Sequence, residues 1–147
     1  MSLRTDIIFV KALKSNQQLL DLLPAKDIYN TSIQLPDVNL DNAPVPYVIV
    51  AFDGLENQGD SKDDSFEGTG DTVMISIELT AKNREQLGNI AEMVRTTIRE
   101  YFEQADPDDD DYDLIPMDYQ FSASAVNYDQ DKPCLWQTFT YRCDTNV

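Results

Sequence analysis

The sequence predicts an α+β domain: a mostly antiparallel sheet of about four to five strands with its helices packed on one face. Three observations carry that prediction. Between Val73 and Leu79 the residues alternate, with Val73, Ile75, Ile77 and Leu79 on one side and Met74, Ser76 and Glu78 on the other. That is the pattern of a half-buried strand, whose side chains point alternately up and down. After Thr80 the period changes, and Leu87, Ile90, Ala91, Val94, Ile98, Tyr101 and Phe102 recur at spacings of three and four. Those positions form one stripe of a helix. Finally, further strand-like runs stand before and after this unit, and packing the apolar sides of strands and helices together buries both.

In chain order, Leu3, Ile7, Val10 and Leu13 mark a first amphipathic helix, with Ser2 placed to cap it. Ser15 followed by Gln18 has capping-box spacing and opens a short helix through Leu19, Leu20, Leu22 and Leu23, which Pro24 ends. Asp27 to Ile33 reads as a short strand. The Pro, Asn and Asp residues from Leu35 to Pro44 make a loop. Pro46 to Phe52 is apolar on both sides, as a central strand is. Asp53 to Asp71, with four glycines, reads as a long acidic loop.

The strand–helix unit from Thr72 to Glu103 follows, its helix capped by Asn83 with Gln86 three residues on. Asp106 to Asp113 is next, where mutual repulsion is expected to prevent regular structure. Met117 to Val126 and Cys134 to Cys143 each alternate and are expected to pair as a hairpin about a turn at Asn127 to Pro133. A chain of 147 residues with no repeat or linker is read as one domain, residues 1–147.

Charge is unevenly placed. The net charge is −16, yet residues 53–71 hold seven acids and one base, and residues 104–113 hold six acids and no base. The rest carries fourteen acids against ten bases. The body is therefore near balance, and two segments hold the acidity. A basic nucleic-acid footprint is absent, and an anionic membrane is not an expected partner. No apolar run is long enough for a membrane helix, and the first residues show no signal-peptide core. Cys134 and Cys143 stand nine positions apart in one strand. At normal rise that separates them by roughly 30 Å, on opposite faces. Free thiols are expected, as in a reducing compartment.

Chemistry is scarce. There is no histidine, hence no serine triad and no common general base or metal ligand. The cysteines lack zinc-site spacing. Gly68-Thr69-Gly70 precedes a strand, whereas a phosphate cradle feeds a helix N-terminus. Asp106, Asp108 and Asp110 have the one-three-five spacing of a calcium loop. Such a loop also needs glycine at its sixth position and glutamate at its twelfth. Here those positions hold Asp111 and Met117. No metal, cofactor or catalytic residue is expected, and the chain is read as a non-enzyme.

The succession of an N-terminal helix, a Leu-rich short helix, Lys26-Asp27-Ile28-Tyr29, Pro44-Val45-Pro46-Tyr47-Val48-Ile49-Val50, Ile75-Ser76-Ile77-Glu78-Leu79-Thr80-Ala81-Lys82 and Leu87…Ala91…Val94-Arg95-Thr96-Thr97-Ile98-Arg99 resembles the bacteriophage tail-completion or tail-terminator (head–tail joining) family. The resemblance covers most of residues 3–103 and rests on order and spacing. It implies a virion part, made in the bacterial host cytoplasm, that caps the tail tube. Such a part assembles with itself as a ring of six, and meets the tail-tube protein and the head connector. DNA would pass through the ring without specific binding. Carboxylates at the lumen would repel phosphates. On this reading Asp60, Asp63, Asp64, Asp108, Asp109, Asp110 and Asp111 face the lumen or a partner. Subunits would meet through the sheet face carrying Met74, Ser76 and Glu78, or through edge strands. The competing reading is an acidic module that mimics DNA and blocks a nucleic-acid-binding protein.

Overall fold

A computed structural model describes residues 2–30, 45–57, 71–116, 118–131 and 133–145. Its helices are α1 (Thr5–Lys14), α2 (Gln17–Leu22) and α3 (Arg84–Glu103). Its strands are β1 (Ile28–Asn30), β2 (Tyr47–Asn57), β3 (Asp71–Ala81), β4 (Asp118–Ala123), β5 (Asn127–Asp129) and β6 (Cys134–Asp144). The sheet runs β1-β2-β3-β6-β4, with β5 also on β6. Only the β1–β2 pair is parallel among the described strands.

The strand–helix unit lies at the centre. Val73, Ile75, Ile77, Leu79 and Ala81 of β3 are fully buried, as are Val48 and Val50 of β2. They join Ile8, Phe9 and Leu13 of α1 and Leu87, Ile90, Val94 and Ile98 of α3 in one core. Both long helices therefore cover the same side of the sheet. An aromatic column locks the layers together. Phe9 meets Phe102 of α3 and Tyr141 of β6 edge-on, each at 5.2 Å between centroids. Tyr119 of β4 extends the column, 5.9 Å from Phe102 and 5.5 Å from Tyr141. Such pairings add stability beyond the area they bury.

Local chemistry explains the boundaries and several departures from expectation. Asn83 caps α3 by accepting from the Gln86 N–H at 2.9 Å, and the Gln86 side chain accepts from the Lys82 N–H at 2.8 Å. The cap of α2 is Asn16 and not Ser15: its Oδ1 accepts from the Gln18 N–H, while the Ser15 hydroxyl donates back to the Ala12 carbonyl. Asn16 also donates to Thr97 at 2.8 Å, which ties α2 to the buried side of α3. Thr97 lies outside the apolar stripe read from the sequence, yet it is buried. Residues Ser2–Arg4 form a 3-10 turn, so α1 starts late, at Thr5, with no side-chain cap.

β2 continues past Phe52 to Asn57, so the first five residues of the expected acidic loop and its last, Asp71, are strand. A bulge between Phe52 and Gly54 breaks the alternation and then restores it. Residues 58–70 lie outside the described residues, as do 31–33 of the expected first strand. The hairpin of the C-terminal strands is present, but its first arm is split into β4 and β5, both on β6. Asn127–Asp129 is strand and not turn.

Candidate functional site

Alternation along β3 sends every second side chain to the side of the sheet away from the helices. There Thr80 lies between Tyr47 and Trp136, Glu78 between Ile49 and Thr138, Ser76 between Ala51 and Thr140, and Met74 between Gly54 and Arg142. The structure thus places Met74, Ser76 and Glu78 together, half-buried, on one face. Tyr29, Tyr47 and Ile49 form a small second cluster at one corner of it, with the Tyr29 and Tyr47 rings 6.2 Å apart. Burial raises the phenol pKa of both tyrosines. At the other end the face is polar: Thr72 donates to Asp144 at 3.1 Å, and Arg142 reaches Glu56 at 3.5 Å.

Glu78 is the anomaly of this face. It sits on a central strand among aliphatic and hydroxyl side chains. Among the described residues no hydrogen bond or ion pair satisfies its carboxylate. Burial alone raises its carboxyl pKa above the usual range. The chain's only tryptophan, Trp136, shares the face. Alternation within the last strand puts Trp136, Thr138, Thr140 and Arg142 on one side but does not connect them to Met74, Ser76 and Glu78. The missing information was strand pairing, which no local pattern carries.

The acidic run lies elsewhere. It leaves the end of α3 and returns against α1, on the helix side of the sheet. Contrary to expectation it is regular: consecutive turns close through Asp109 N–H to Asp106 C=O, Tyr112 N–H to Asp109 C=O and Leu114 N–H to Asp111 C=O, at 2.9–3.0 Å. Two aspartates supply their own turn bonds. The Asp106 carboxylate accepts from the Asp108 N–H, and the Asp109 carboxylate from the Asp111 N–H. That local bonding suits Asp to turns. Leu114 and Pro116 are buried beneath, and the Lys11 ammonium of α1 pairs with Asp111. The pairing raises the Lys11 pKa.

Repulsion is therefore offset by turn bonds, one cation and an apolar anchor. Asp108, Asp109 and Asp110 are exposed and Asp111 half-buried. A shallow cleft of about 200 Å³ between the run and α1 is lined by Ile8, Tyr101, Asp106, Asp109 and Tyr112, among others. Among the described residues no three acidic or cysteine side chains converge as a metal set. Asp60, Asp63 and Asp64 lie outside the described residues.

The remaining titratable groups offer little chemistry. Cys134 and Cys143 are both buried and are not joined in a disulfide. Burial pushes the Cys143 thiol up to about 12, so it is inert as a nucleophile near neutrality. The Tyr141 hydroxyl is buried without a hydrogen-bond partner among the described residues, and burial raises its pKa too.

No protein-family model matches the chain, and no curated protein matches its sequence. In fold it is similar to a solved chain from the "Virion of native gene transfer agent (GTA) particle". The likeness covers 95% of this chain and 92% of that one, with a TM-score of 0.60 and 12% identity. At that identity it is a likeness of fold.

Proposed function

We propose that the protein is a non-enzymatic structural part of a phage or phage-like virion, one that caps the tail tube and joins it to the head as a ring around the DNA path. The fold likeness to a virion chain over nearly the full length of both carries this reading. The family resemblance of residues 3–103 points the same way. The ring would close through the helix-free sheet face, a half-buried surface of mixed apolar and hydroxyl character centred on Met74, Ser76 and Glu78. Subunit interfaces are built from surfaces depleted in charge at their centre. Tail tube and head connector would meet the two ends of the ring. The acidic run would lie where it keeps phosphates from sticking.

The DNA-mimic reading needs charge spread along one rigid surface. The described acidic run is confined to one stretch at the end of α3, which favours the ring. Native mass and negative-stain imaging of the purified chain test the choice. The ring reading expects a closed oligomer, six-fold if the resemblance holds. A monomer that competes with DNA for a basic protein would replace it with the mimic reading.

A further inference from the structure

An open sheet ends in two edges, and an edge strand leaves a row of backbone donors and acceptors with no strand beside it. The two ends of this sheet differ. β1, at one end, is three residues long, and Ile28, Tyr29 and Asn30 are all buried. β4, at the other end, is six residues long and pairs with β6 in unbroken register. No described strand lies beyond it. Asp118, Gln120, Ser122 and Ala123 are exposed. Apart from Asp118 at its start, β4 lacks the devices that blunt an edge: it has no proline, no lysine and no bulge.

Hydrogen bonds give the groups that point outward. In an antiparallel ladder alternate residues turn their N–H and C=O towards the partner strand. The Ser124 N–H reaches the Thr138 carbonyl of β6 at 2.9 Å. Even-numbered residues of β4 therefore face β6, and odd-numbered ones, Tyr119, Phe121 and Ala123, face away. The Tyr119 N–H fits this phase, since it donates to the Asp118 carboxylate at 2.8 Å and not to β6. The stretch left open runs from Phe121 to Ala123.

A positive charge stands over that stretch. The Arg95 guanidinium of α3 lies 4.2 Å from the centre of the Phe121 ring. Arg95 is exposed and makes no ion pair among the described residues. Phe121 packs edge-on against Phe139 of β6 at 4.8 Å, so the ring beneath the arginine is fixed to the sheet. A strand added about 4.8 Å beyond β4 sets one residue next to Phe121 with its side chain on the same side, within reach of Arg95. Beside Tyr119 the balance differs. Burial raises the Tyr119 phenol pKa, Glu103 adds to the rise, and Arg99 and Arg95 oppose it. An incoming carboxylate is thus favoured next to Phe121.

From this geometry we infer that β4 is a docking edge for an extended segment of a different protein, which adds a strand to the sheet and sets a carboxylate beside Phe121 against Arg95. Main-chain bonds to Phe121 and Ala123 supply attachment, and the carboxylate supplies selection. A second copy fits poorly. Its own β4, laid antiparallel beside this one, brings its Arg95 to the same side of the sheet. Its described acidic run is closed into turns and not extended. This docking is independent of the ring reading.

The test uses the full chain and a blocked peptide of about nine residues that alternates threonine and serine around one central glutamate, beside its lysine version. Binding is followed by amide chemical shifts up to about 2 mM peptide. Shifts are expected at Phe121 and Ala123, with the glutamate peptide binding roughly threefold to tenfold more tightly than the lysine one. Arg95→Glu should reverse that order. Ala123→Pro removes an outward N–H from an exposed position and leaves the ladder to β6 intact, so both peptides should bind about tenfold more weakly. Circular dichroism checks that each variant is folded; if the proline disturbs the fold, Arg95→Glu and the wild-type shifts still decide. A glutamate peptide that shifts no β4 amide, or an order of binding that Arg95→Glu leaves unchanged, overturns the inference. So does a wild-type oligomer that Ala123→Pro dissociates, because the edge then belongs to a second copy.

Discussion

Ile77 and Ser76 are neighbours on β3, and the structure assigns them opposite fates. Ile77 is fully buried, flanked in register by Val50 and Phe139 and covered by the helix layer. Ile77→Ala strips the side chain back to Cβ. At about 0.8 kcal/mol for each methylene lost, plus the cavity left behind, the cost is roughly 2–5 kcal/mol. A domain of this size loses about 3 °C of thermal midpoint per kcal/mol, so the midpoint should fall by roughly 5–15 °C. Ser76 is half-buried between Ala51 and Thr140 on the helix-free face. Ser76→Lys can run its stem along that face and keep its ammonium in water. The expected cost to the isolated subunit is within about 1 kcal/mol. Placed at the centre of the proposed subunit contact, the same lysine should abolish assembly. Thermal melts at low concentration and native mass at high concentration are run on both variants. If Ser76→Lys unfolds the subunit as readily as Ile77→Ala, the face is packed inside the monomer and cannot be an interface. If Ser76→Lys assembles normally, the contact lies elsewhere.

Three further outcomes are expected. Asn16→Ala removes the cap of α2 and the bond to buried Thr97, and should cost about 2 kcal/mol in urea unfolding; Asn16→Ser, which can still cap, should recover about half. Replacing Asp108, Asp109, Asp110 and Asp111 together by Asn keeps the turn-forming acceptors and lowers repulsion while giving up the ion pair of Lys11. Circular dichroism should be unchanged and the melting midpoint should move by only a few degrees, about the scale of surface charge effects, whereas DNA passage or assembly should suffer. Glu78→Gln carries a pH signature. The folded chain holds the Glu78 proton more tightly than the unfolded chain does. The stability contributed by this group is therefore present below its unfolded pKa and lost as pH rises through its folded pKa. The glutamine stays neutral throughout, so below the concentration of assembly the variant should melt higher than wild type near neutrality, and its advantage should vanish in acid.

What was legible in the residues was whatever is written locally. The switch from alternate spacing to spacings of three and four located β3 and α3, and Asn83 with Gln86 located the cap between them. The end of β2 was hidden because the bulge before Gly54 breaks alternation in a stretch whose Asp, Gly and Asn composition is that of a loop. With the bulge counted, Leu55 returns to the helix side and packs on the core. The order of the acidic run was hidden for a different reason. Its turn bonds are local, but Lys11 lies 100 residues away in sequence. The interface candidates were legible as alternate positions on separate strands, and their union into one face was not, since it depends on β3 pairing with both β2 and β6.

A net charge of −16 would seem to forbid a chain from joining copies of itself. Distance decides otherwise. At physiological salt, charges separated by more than about 8 Å are largely screened from one another. The described acidic run sits on the helix side of the sheet, next to Lys11, and the sheet's other face holds few charges, with Glu78 alone at its centre. Copies that meet through that face need not bring their described acidic runs together, so the repulsion of that run would be absent from the contact. What remains there is the carboxylate of Glu78, short of water in the free subunit and shorter of it once covered. On the proposed ring contact, the group that weakens the fold when charged is also the one that a partner's cation would have to neutralise.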